Sequence, residues 1–416
     1  MVVYEDLVRL FKKIAQVHLR TYSIHTPNPN VWVLTDGSIE SSLQAVALAK
    51  QLSSPDKFKI KTIVASTKLQ MFPAIIQKYI VQWSAVKHTD ALGKLPWYLR
   101  TKDESFDEAL PDYAIISGQD AVPACLHLTQ TLRGKKCFSG YPNIPFINFD
   151  QVVLPRYEAN AKMAALGPLA KQKNGIITPA PLLDTTTTLY KQIDQMIPAS
   201  FSQGYTTVVV GGHSPNCRWY SEDAVNLADN IKRMVQNLDD KVVVVYSDRT
   251  PQLVKDKMNK RFAEFDSMAS SVITWDSTLE GSTSSKLTRY ENIIHYSRRI
   301  VLTADLDYAC AHAISKGKPV YVTFGGQCRS YLSHFYRWMY DSHLARKLRL
   351  DRHNHKSTGH DAYSYLGHHV TWGDASKVFQ MKHTMSFVKG EIEEIRREKM
   401  SGHDNFNSSP DPINIE

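Results

Sequence analysis

The sequence predicts an α/β protein of two domains, each with a mainly parallel sheet flanked by helices. Short runs rich in β-branched residues recur along the chain, and most lack the alternation of a half-exposed strand, as expected of strands covered on both faces. Between them, apolar residues return every three or four positions, for example in 41–52 and 221–238. Strand alternating with helix implies parallel sheets with right-handed crossovers.

Nine strands are predicted from these runs, each four to ten residues long and bounded by polar or turn residues. They are 31–35, 58–67, 112–117, 151–155, 206–212, 241–247, 271–276, 299–305 and 319–325.

A boundary between the two domains is predicted near residue 200, where Pro198, Ser200, Ser202 and Gly204 interrupt the pattern. Both halves open alike, with VWVLTDG and TTVVVGGHS, and both carry a later strand, turn and helix, DYAIISGQDAVPACLHL and RIVLTADLDYACAHAI. This similarity predicts two Rossmann-like domains facing one another across a cleft. The expected segments are a lead-in (1–29), the first domain (30–200), the second domain (205–385) and a C-terminal helix with a disordered tail (386–416).

The composition limits the classes of function. Fifty Lys and Arg against 41 Asp and Glu give a net charge of +9, which favours anionic partners. Five cysteines without a C-x-x-C pair argue against a zinc ribbon or a disulfide framework. No apolar run approaches the roughly 18 to 20 residues that a membrane span needs.

The N-terminal segment has the pattern of a basic amphipathic helix, with apolar residues from Leu7 to Val17 at helical spacing. Three interpretations stay open: a helix docked on the body, an element on a membrane surface, or a weak targeting signal. Glu5 and Asp6 argue against a cleaved mitochondrial presequence.

Ligand-binding candidates in the second domain follow its predicted strands, because ligands bind at the carboxyl ends of the strands in open α/β sheets. The turn after 206–210 offers backbone N–H groups to a phosphate, and we expect Ser221 to cap the following helix. Arg249, ahead of Pro251, suits a bidentate contact with phosphate or carboxylate. A tight turn, and an Arg249 that pairs with Asp248 or with solvent, are the structural alternatives. The candidates here are Gly211, Gly212, His213, Ser214, Ser247, Arg249, Thr250, Thr303 and Asp305.

Two further clusters carry weaker signals. A His-rich stretch matches no standard zinc spacing, and we predict no metal site and no cofactor; its histidines are His353, His355, His360, His368 and His369. The basic, aromatic segment 329–352 suits RNA, an acidic lipid surface, or a helix that buries its aromatic face. We expect no nucleic acid partner, since that interpretation depends on charge alone.

The order of several motifs resembles the elongated-mitochondria family of fission proteins, which is related in fold to two-domain GT-B glycosyltransferases. The resemblance covers about residues 30 to 350. Its landmarks in this sequence are VWVLTDG, SGQDAVPACLHL, VVVGGHS, VVVYSDRTP, ITWD, YEN, VLTAD, GKPVYV and FGGQCRSYLSHFYRWMYDSHLARKL.

The chain departs from the family pattern at two turns. After Asp36 and Gly37 only Gln44 survives of the usual polar residues, and His312 stands where the resemblance implies the glutamate that contacts the ribose of a sugar nucleotide. A neutral His can still hydrogen-bond a hydroxyl, so His312 remains a binding candidate. Tight packing of the alanine-rich helix is the structural alternative. Candidates in the first domain are Asp36, Gly37, Gln44, Ser117, Gly118 and Gln119.

The resemblance implies a non-catalytic GT-B-like protein acting in mitochondrial fission or morphology through a partner such as a dynamin-like GTPase. We accordingly assign no catalytic residue. The expected location is the cytosolic face of the outer mitochondrial membrane, with the cytoplasm as the alternative, and an anionic membrane surface is a further candidate partner. The rival function is a glycosyltransferase that uses a nucleotide-sugar donor.

Overall fold

The computed structural model describes residues 29–53, 57–86, 95–101, 111–131, 135–140, 142–166, 174–184, 192–264, 270–348 and 371–407. The predicted amphipathic segment 1–20 and the His-rich stretch 351–369 lie outside the described residues.

The first domain is built on a seven-stranded sheet. Its strands are β1 Val31–Thr35, β2 Phe58–Ala65, β3 Leu99–Thr101, β4 Tyr113–Ser117, β5 Lys135–Ser139, β6 Gln151–Pro155 and β7 Gly175–Thr178. They lie in the order β3-β2-β1-β4-β5-β6-β7, and β3 pairs antiparallel with β2 while the other pairs are parallel. Its helices are α1 Ile39–Leu52, α2 Thr67–Gln70, α3 Ala74–Val86, α4 Val122–Thr131 and α5 Arg156–Leu166.

The second domain repeats this design with six parallel strands. They are β8 Tyr205–Val210, β9 Val242–Tyr246, β10 Val272–Asp276, β11 Ser297–Thr303, β12 Val320–Thr323 and β13 Arg346–Lys347, in the order β10-β9-β8-β11-β12-β13. The helices that follow are α6 Ser221–Leu238, α7 Gln252–Ala263, α8 Thr283–Tyr296, α9 Asp307–Ser315, α10 Ser330–Asp341, α11 Ala375–Phe379 and α12 Met381–Asn407. The predicted α/β class with two mainly parallel sheets is confirmed.

The strands without alternation are buried on both faces, as predicted. All five residues of β1 and all six of β8 are buried, because helices cover both sides of each sheet. One capping prediction is wrong: Ser221 is the first residue of α6, and Tyr220 takes the N-cap position. Asp223 accepts the backbone N–H of Tyr220 at 2.8 Å, so a carboxylate rather than the serine hydroxyl satisfies this terminus.

Within the basic, aromatic segment, helix α10 (Ser330–Asp341) buries aromatic side chains on one face. Within α10, Phe335 and Tyr336 are buried while Arg337 is exposed. Of the three interpretations of this segment, the structure therefore agrees with the packing one.

The C-terminal segment is more helical than the sequence predicts. Helix α12 runs through Asn407, so 401–407 belong to a helix where we expect a disordered tail. Helix α12 also packs against α1, which returns the chain to the first domain. None of the described helices combines the length and apolar character that crossing a bilayer requires.

Candidate functional site

The carboxyl ends of three adjacent strands bring most of the predicted second-domain candidates together. Strand β8 lies between β9 and β11. The turns after these strands carry Gly211 and Gly212, Ser247 and Arg249, and Asp305, respectively. The parallel topology therefore makes one site of residues nearly 100 positions apart in sequence.

The centre of this site is the carboxylate of Asp305, whose side chain is fully buried. It accepts the backbone N–H of Gly212 at 2.9 Å and the indole N–H of Trp219 at 2.9 Å. The Arg249 guanidinium donates to the same carboxylate at 2.9 Å and to the backbone carbonyl of Asp305 at 2.8 Å. These donors are of the kind that bind a phosphate. In this structure they bind an acidic side chain of the protein itself.

The glycine turn fits this internal carboxylate closely. A Cβ atom added to Gly211 would lie 2.0 Å from Oδ2 of Asp305, and one added to Gly212 would lie 2.2 Å from the carbonyl oxygen of Arg249. The absence of side chains is therefore required for packing inside the domain, which removes the need to invoke a ligand to explain the two glycines.

Two further backbone donors near the predicted phosphate loop also have partners within the protein. Gly211 donates its N–H to the Thr303 hydroxyl at 2.8 Å, and Ser214 donates to the carbonyl of Cys217 at 3.0 Å. His213 is exposed, with its ring against Tyr220. Its side chain therefore lies outside the buried Asp305 cluster.

Ser247 and Thr250 shape the turn that presents Arg249. The Thr250 hydroxyl donates to the carbonyl of Val210 at 2.6 Å, and Ser247 Oγ accepts the N–H of Arg249 at 3.3 Å. Pro251 occupies the N-cap position of α7. These contacts hold the turn against the end of β8 and aim the guanidinium at Asp305.

Arg249 also connects the two domains. Its Nη2 atom lies 3.1 Å from Oε2 of Glu40, in the first turn of α1. The other oxygen of Glu40 accepts the N–H of Ala309 at 3.2 Å, in the first turn of α9. Burial raises the pKa of Glu40, and Arg249 partly offsets that rise. A carboxylate of the first domain thus fills the helix N-terminus of the second, where an anionic ligand would be favoured.

The reverse contact exists at the N-terminus of α1. Oδ2 of Asp248, from the second domain, accepts the N–H of Ile39 at 3.1 Å. Lys286 of α8 pairs with Asp248 and donates to the carbonyl of Gly37 at 2.8 Å. Beside them, the hydroxyls of Thr62 and Thr283 meet at 2.7 Å across the domains. Each domain therefore supplies a carboxylate to a helix N-terminus of the other.

Beside these carboxylate contacts lies a second set of hydrogen bonds between tyrosines and acids, each with one partner from each domain. Tyr157 donates its hydroxyl to Asp307 at 2.7 Å, and Tyr308 donates to Glu158 at 2.8 Å. Burial, followed by the negative charge of Glu40, raises the pKa of Asp307 to about 7. The contact region between the domains is thus rich in carboxyl groups whose charges affect one another.

Apart from Gly37, whose carbonyl accepts from Lys286 of the second domain, the first-domain candidates make contacts within their own domain. Asp36 accepts the N–H of Ser38 at 2.9 Å and packs on Gly118, where an added Cβ would lie 2.1 Å from its Oδ2. The remaining polar candidates bind elements of their own domain: Gln44 accepts from Ser139 at 3.3 Å, Ser117 donates to the Ser139 carbonyl at 3.5 Å, and Gln119 accepts from Asn143 at 3.1 Å.

His312 contacts a different acid from the one in the glycine turn. Its Nε2 atom lies 2.7 Å from Oε1 of Glu291 in α8, and within the described part of the chain its buried Nδ1 has no hydrogen-bond partner. Burial alone would raise the pKa of Glu291, but His312 and Lys316 lower it to about 2. Glu291 and His312 border a cavity of about 260 Å³ between α1, α8 and the start of β2.

Several residues of the site were not among the sequence candidates. The groups that bridge the domains are Glu40, Tyr157, Glu158, Asp248, Lys286, Asp307 and Tyr308. Trp219 binds Asp305 within the second domain. The only local signal was position: Glu40 and Asp307 stand in the first turns of helices that follow strands.

The sequence profile described as Mitochondrial fission ELM1 matches residues 41–366. The chain is also 22% identical over 324 residues to the uncharacterized protein RP120 of Rickettsia prowazekii, covering 71% of this chain and 83% of that protein.

Solved structures with a similar course of the chain include nucleotide-sugar enzymes. A UDP-GlcNAc 2-epimerase of Methanocaldococcus jannaschii, in complex with UDP-GlcNAc and UDP, has a TM-score of 0.45 at 8% identity and covers 86% of this chain and 99% of its own. UGT71G1 of Medicago truncatula, complexed with UDP-glucose, has a TM-score of 0.43 at 9% identity, with coverages of 88% and 98%. Likeness at this level carries no conclusion about ligand or activity.

The family profile extends over most of the chain and includes the second-domain turns described above. The predicted family resemblance is therefore confirmed. The chain belongs to the mitochondrial fission ELM1 family.

Proposed function

We propose that this member of the fission family acts in mitochondrial fission or morphology without catalysis, through a protein partner such as a dynamin-like GTPase. The observation that carries the proposal is the carboxylate of Asp305 in the glycine turn, bound by Gly212, Trp219 and Arg249. A nucleotide-sugar transferase needs hydrogen-bond donors of this kind to bind the diphosphate of its sugar nucleotide. Here a phosphate would have to displace a buried carboxylate that accepts hydrogen bonds from three groups.

The contacts across the domain interface support the same function. Glu40 and Asp248 fill the N-termini of α9 and α1 from the opposite domain. Opening the cleft to a ligand would break both contacts and the Arg249–Glu40 ion pair together. A closed two-domain body with a fixed outer surface suits a protein that acts by binding other proteins.

Complementation of a depleted cell line tests the proposal. Loss of the protein should elongate the mitochondrial network, and re-expression of the wild-type chain should restore it. Affinity capture of the wild-type protein from intact cells, after crosslinking, should recover a dynamin-like GTPase. An unchanged network in depleted cells would contradict the proposal.

We place the protein on the cytosolic face of the outer mitochondrial membrane. Added protease should then digest it on intact mitochondria, and removal of residues 1–20 should reduce its recovery with the organelle while the domains remain folded. Protection of the full-length chain until the outer membrane is opened would contradict this location.

A glycosyltransferase remains the second candidate, because both sheets turn their carboxyl ends toward the interface and the glycine turn and Arg249 are present. Saturable binding of a nucleotide sugar, followed by transfer of the sugar to an acceptor, would favour it over the non-catalytic function.

A further inference from the structure

The outer face of α3, with the turn before it, exposes a group of large apolar side chains. Met71 is 82% exposed, Tyr79 62% and Trp83 69%. We call this group the α3 stripe; its members are Met71, Phe72, Ile75, Ile76, Tyr79 and Trp83. Exposed apolar residues scattered singly are ordinary, whereas a contiguous group marks an interaction surface.

The spacing places the stripe along one side of the helix. Ile76, Tyr79 and Trp83 follow one another at intervals of three and four residues, so they share one face of α3 over about 10 Å. Met71 and Phe72 lie in the turn before the helix. The opposite face of α3 buries Val81 in the core of the first domain. The helix is therefore apolar on both its buried and its solvent side, which core packing alone does not require.

The sequence around the stripe is basic. Residues 57–89 contain six lysines and no Asp or Glu. Lys68 is exposed on α2, immediately before the stripe, and Nζ of Lys78 lies 5.3 Å from the centre of the Tyr79 ring within it. The region thus combines apolar and aromatic side chains with positive charge.

We propose that the α3 stripe binds the surface of an anionic lipid bilayer, with its apolar side chains in the headgroup region and its lysines against lipid phosphates. Trp and Tyr favour the membrane interface, and apolar area together with basic charge strengthens binding to anionic lipid. The absence of Asp and Glu from residues 57–89 favours a bilayer over a second copy of this chain, since two such stripes facing each other would bring lysines together. The inference concerns lipid binding alone and goes beyond the proposed fission role.

Vesicle co-sedimentation of the purified full-length protein tests the inference. The wild-type protein should sediment with vesicles of phosphatidylcholine mixed with phosphatidylserine, and much less with phosphatidylcholine alone. The double variant Ile76→Ser/Trp83→Ser should lower the partition coefficient by about tenfold, equivalent to roughly 1.4 kcal/mol. The matched control is Leu279→Ser, which removes an 83% exposed leucine of the second domain and should bind as the wild type does.

A charge variant keeps the test decisive if the double variant folds poorly. Lys78→Glu preserves the apolar side chains and should reduce binding to the mixed vesicles several-fold. Added salt should likewise weaken binding of the wild-type protein to these vesicles. Thermal unfolding of each variant verifies its fold. The inference is wrong if folded stripe variants bind as the wild type does, or if the wild-type protein binds neither kind of vesicle. It is also wrong if the stripe instead forms a dimer, seen as self-association that Ile76→Ser/Trp83→Ser abolishes.

Discussion

Arg249 of the second domain lies 3.1 Å from Glu40 of the first, while the same guanidinium nitrogen donates to Asp305 at 2.9 Å. One cation thus joins the internal anion of the glycine turn to the carboxylate that fills the N-terminus of α9. The glycine turn is therefore joined through Arg249 to the contact between the two domains.

Glu40→Gln tests the coupling between the domains. The amide can still accept the Ala309 N–H, but it removes the charge that pairs with Arg249. Because Arg249 is 43% exposed, we expect a loss of only about 1–2 kcal/mol in the free energy of unfolding. Urea denaturation measures it, and small-angle scattering should show a more open average shape.

The matched control for this variant is Glu264→Gln, which breaks an exposed pair with Arg261 within one domain. We expect it to change stability by less than about 0.5 kcal/mol, with unchanged scattering. Equal effects of the two variants would contradict a special role for Glu40 in holding the domains together.

Asp305→Ala should convert the glycine turn into an open anion site. The change leaves the donors from Gly212, Trp219 and Arg249 without their acceptor, so we expect stability to fall by about 2–4 kcal/mol. Added inorganic phosphate should then raise the melting temperature of the variant more than that of the wild type.

Asp256→Ala, at an exposed acid of α7, is the control and should show no phosphate effect. If Asp305→Ala does not fold, Asp305→Ser permits the same comparison, since its shorter side chain also leaves the carboxylate position vacant. A folded Asp305 variant that phosphate does not stabilise would contradict the assignment of these donors as an anion site.

His312→Glu should destabilise the protein without restoring nucleotide binding. The family resemblance suggests that a glutamate here would contact a ribose, but the side chain of His312 meets Glu291 at 2.7 Å. A second carboxylate at that distance adds like-charge repulsion, and we expect a cost of about 2 kcal/mol. His312→Gln, which can still donate to Glu291, should cost less. If His312→Glu were as stable as His312→Gln and bound a nucleotide sugar, the structural account of this position would be wrong.

The raised pKa of Asp307 predicts how stability depends on pH. The folded protein holds this proton up to about pH 7, whereas the unfolded chain releases it near pH 4. The contribution of Asp307 to stability is therefore complete below about pH 4 and is lost as the pH rises toward 7. Asp307→Asn, which keeps an acceptor for Tyr157, should gain stability relative to the wild type between pH 5 and pH 8, by about 1–3 kcal/mol. Melting temperatures of the wild type and the variant at pH 5 and pH 8 measure this gain. An equal difference between the two proteins at both pH values would contradict the raised pKa of Asp307.

The sequence predicted the strands that are buried on both faces and missed those with weaker composition. Strands β1, β6 and β8 consist mostly of apolar or β-branched residues, so the runs identify them closely. Strand β5 begins with two lysines, β7 with a glycine, and β3 and β13 have three and two residues. Such strands are fixed by pairing with neighbours, which no local pattern reports.

The candidate site, like the strands, could be predicted only in part. Topology alone was enough to group Gly211, Arg249 and Asp305, because parallel strands end at one edge. Sequence reasoning could not tell that the carboxylate of Asp305 turns inward onto Gly212, since an acid at the end of a strand can equally face a ligand. Glu40 is separated from Arg249 by more than 200 residues, and their contact depends on how the two domains dock.

Isothermal titration of the wild-type protein with inorganic phosphate, UDP and a panel of uridine and guanosine diphosphate sugars tests the central claim most directly. If Asp305, Glu40 and Asp248 occupy the anion positions of the closed interface, no ligand should give saturable heat at concentrations up to about 1 mM. Saturable binding with a micromolar Kd, weakened at least tenfold by Arg249→Ala in a folded variant, would contradict the claim and identify the interface as a working nucleotide site.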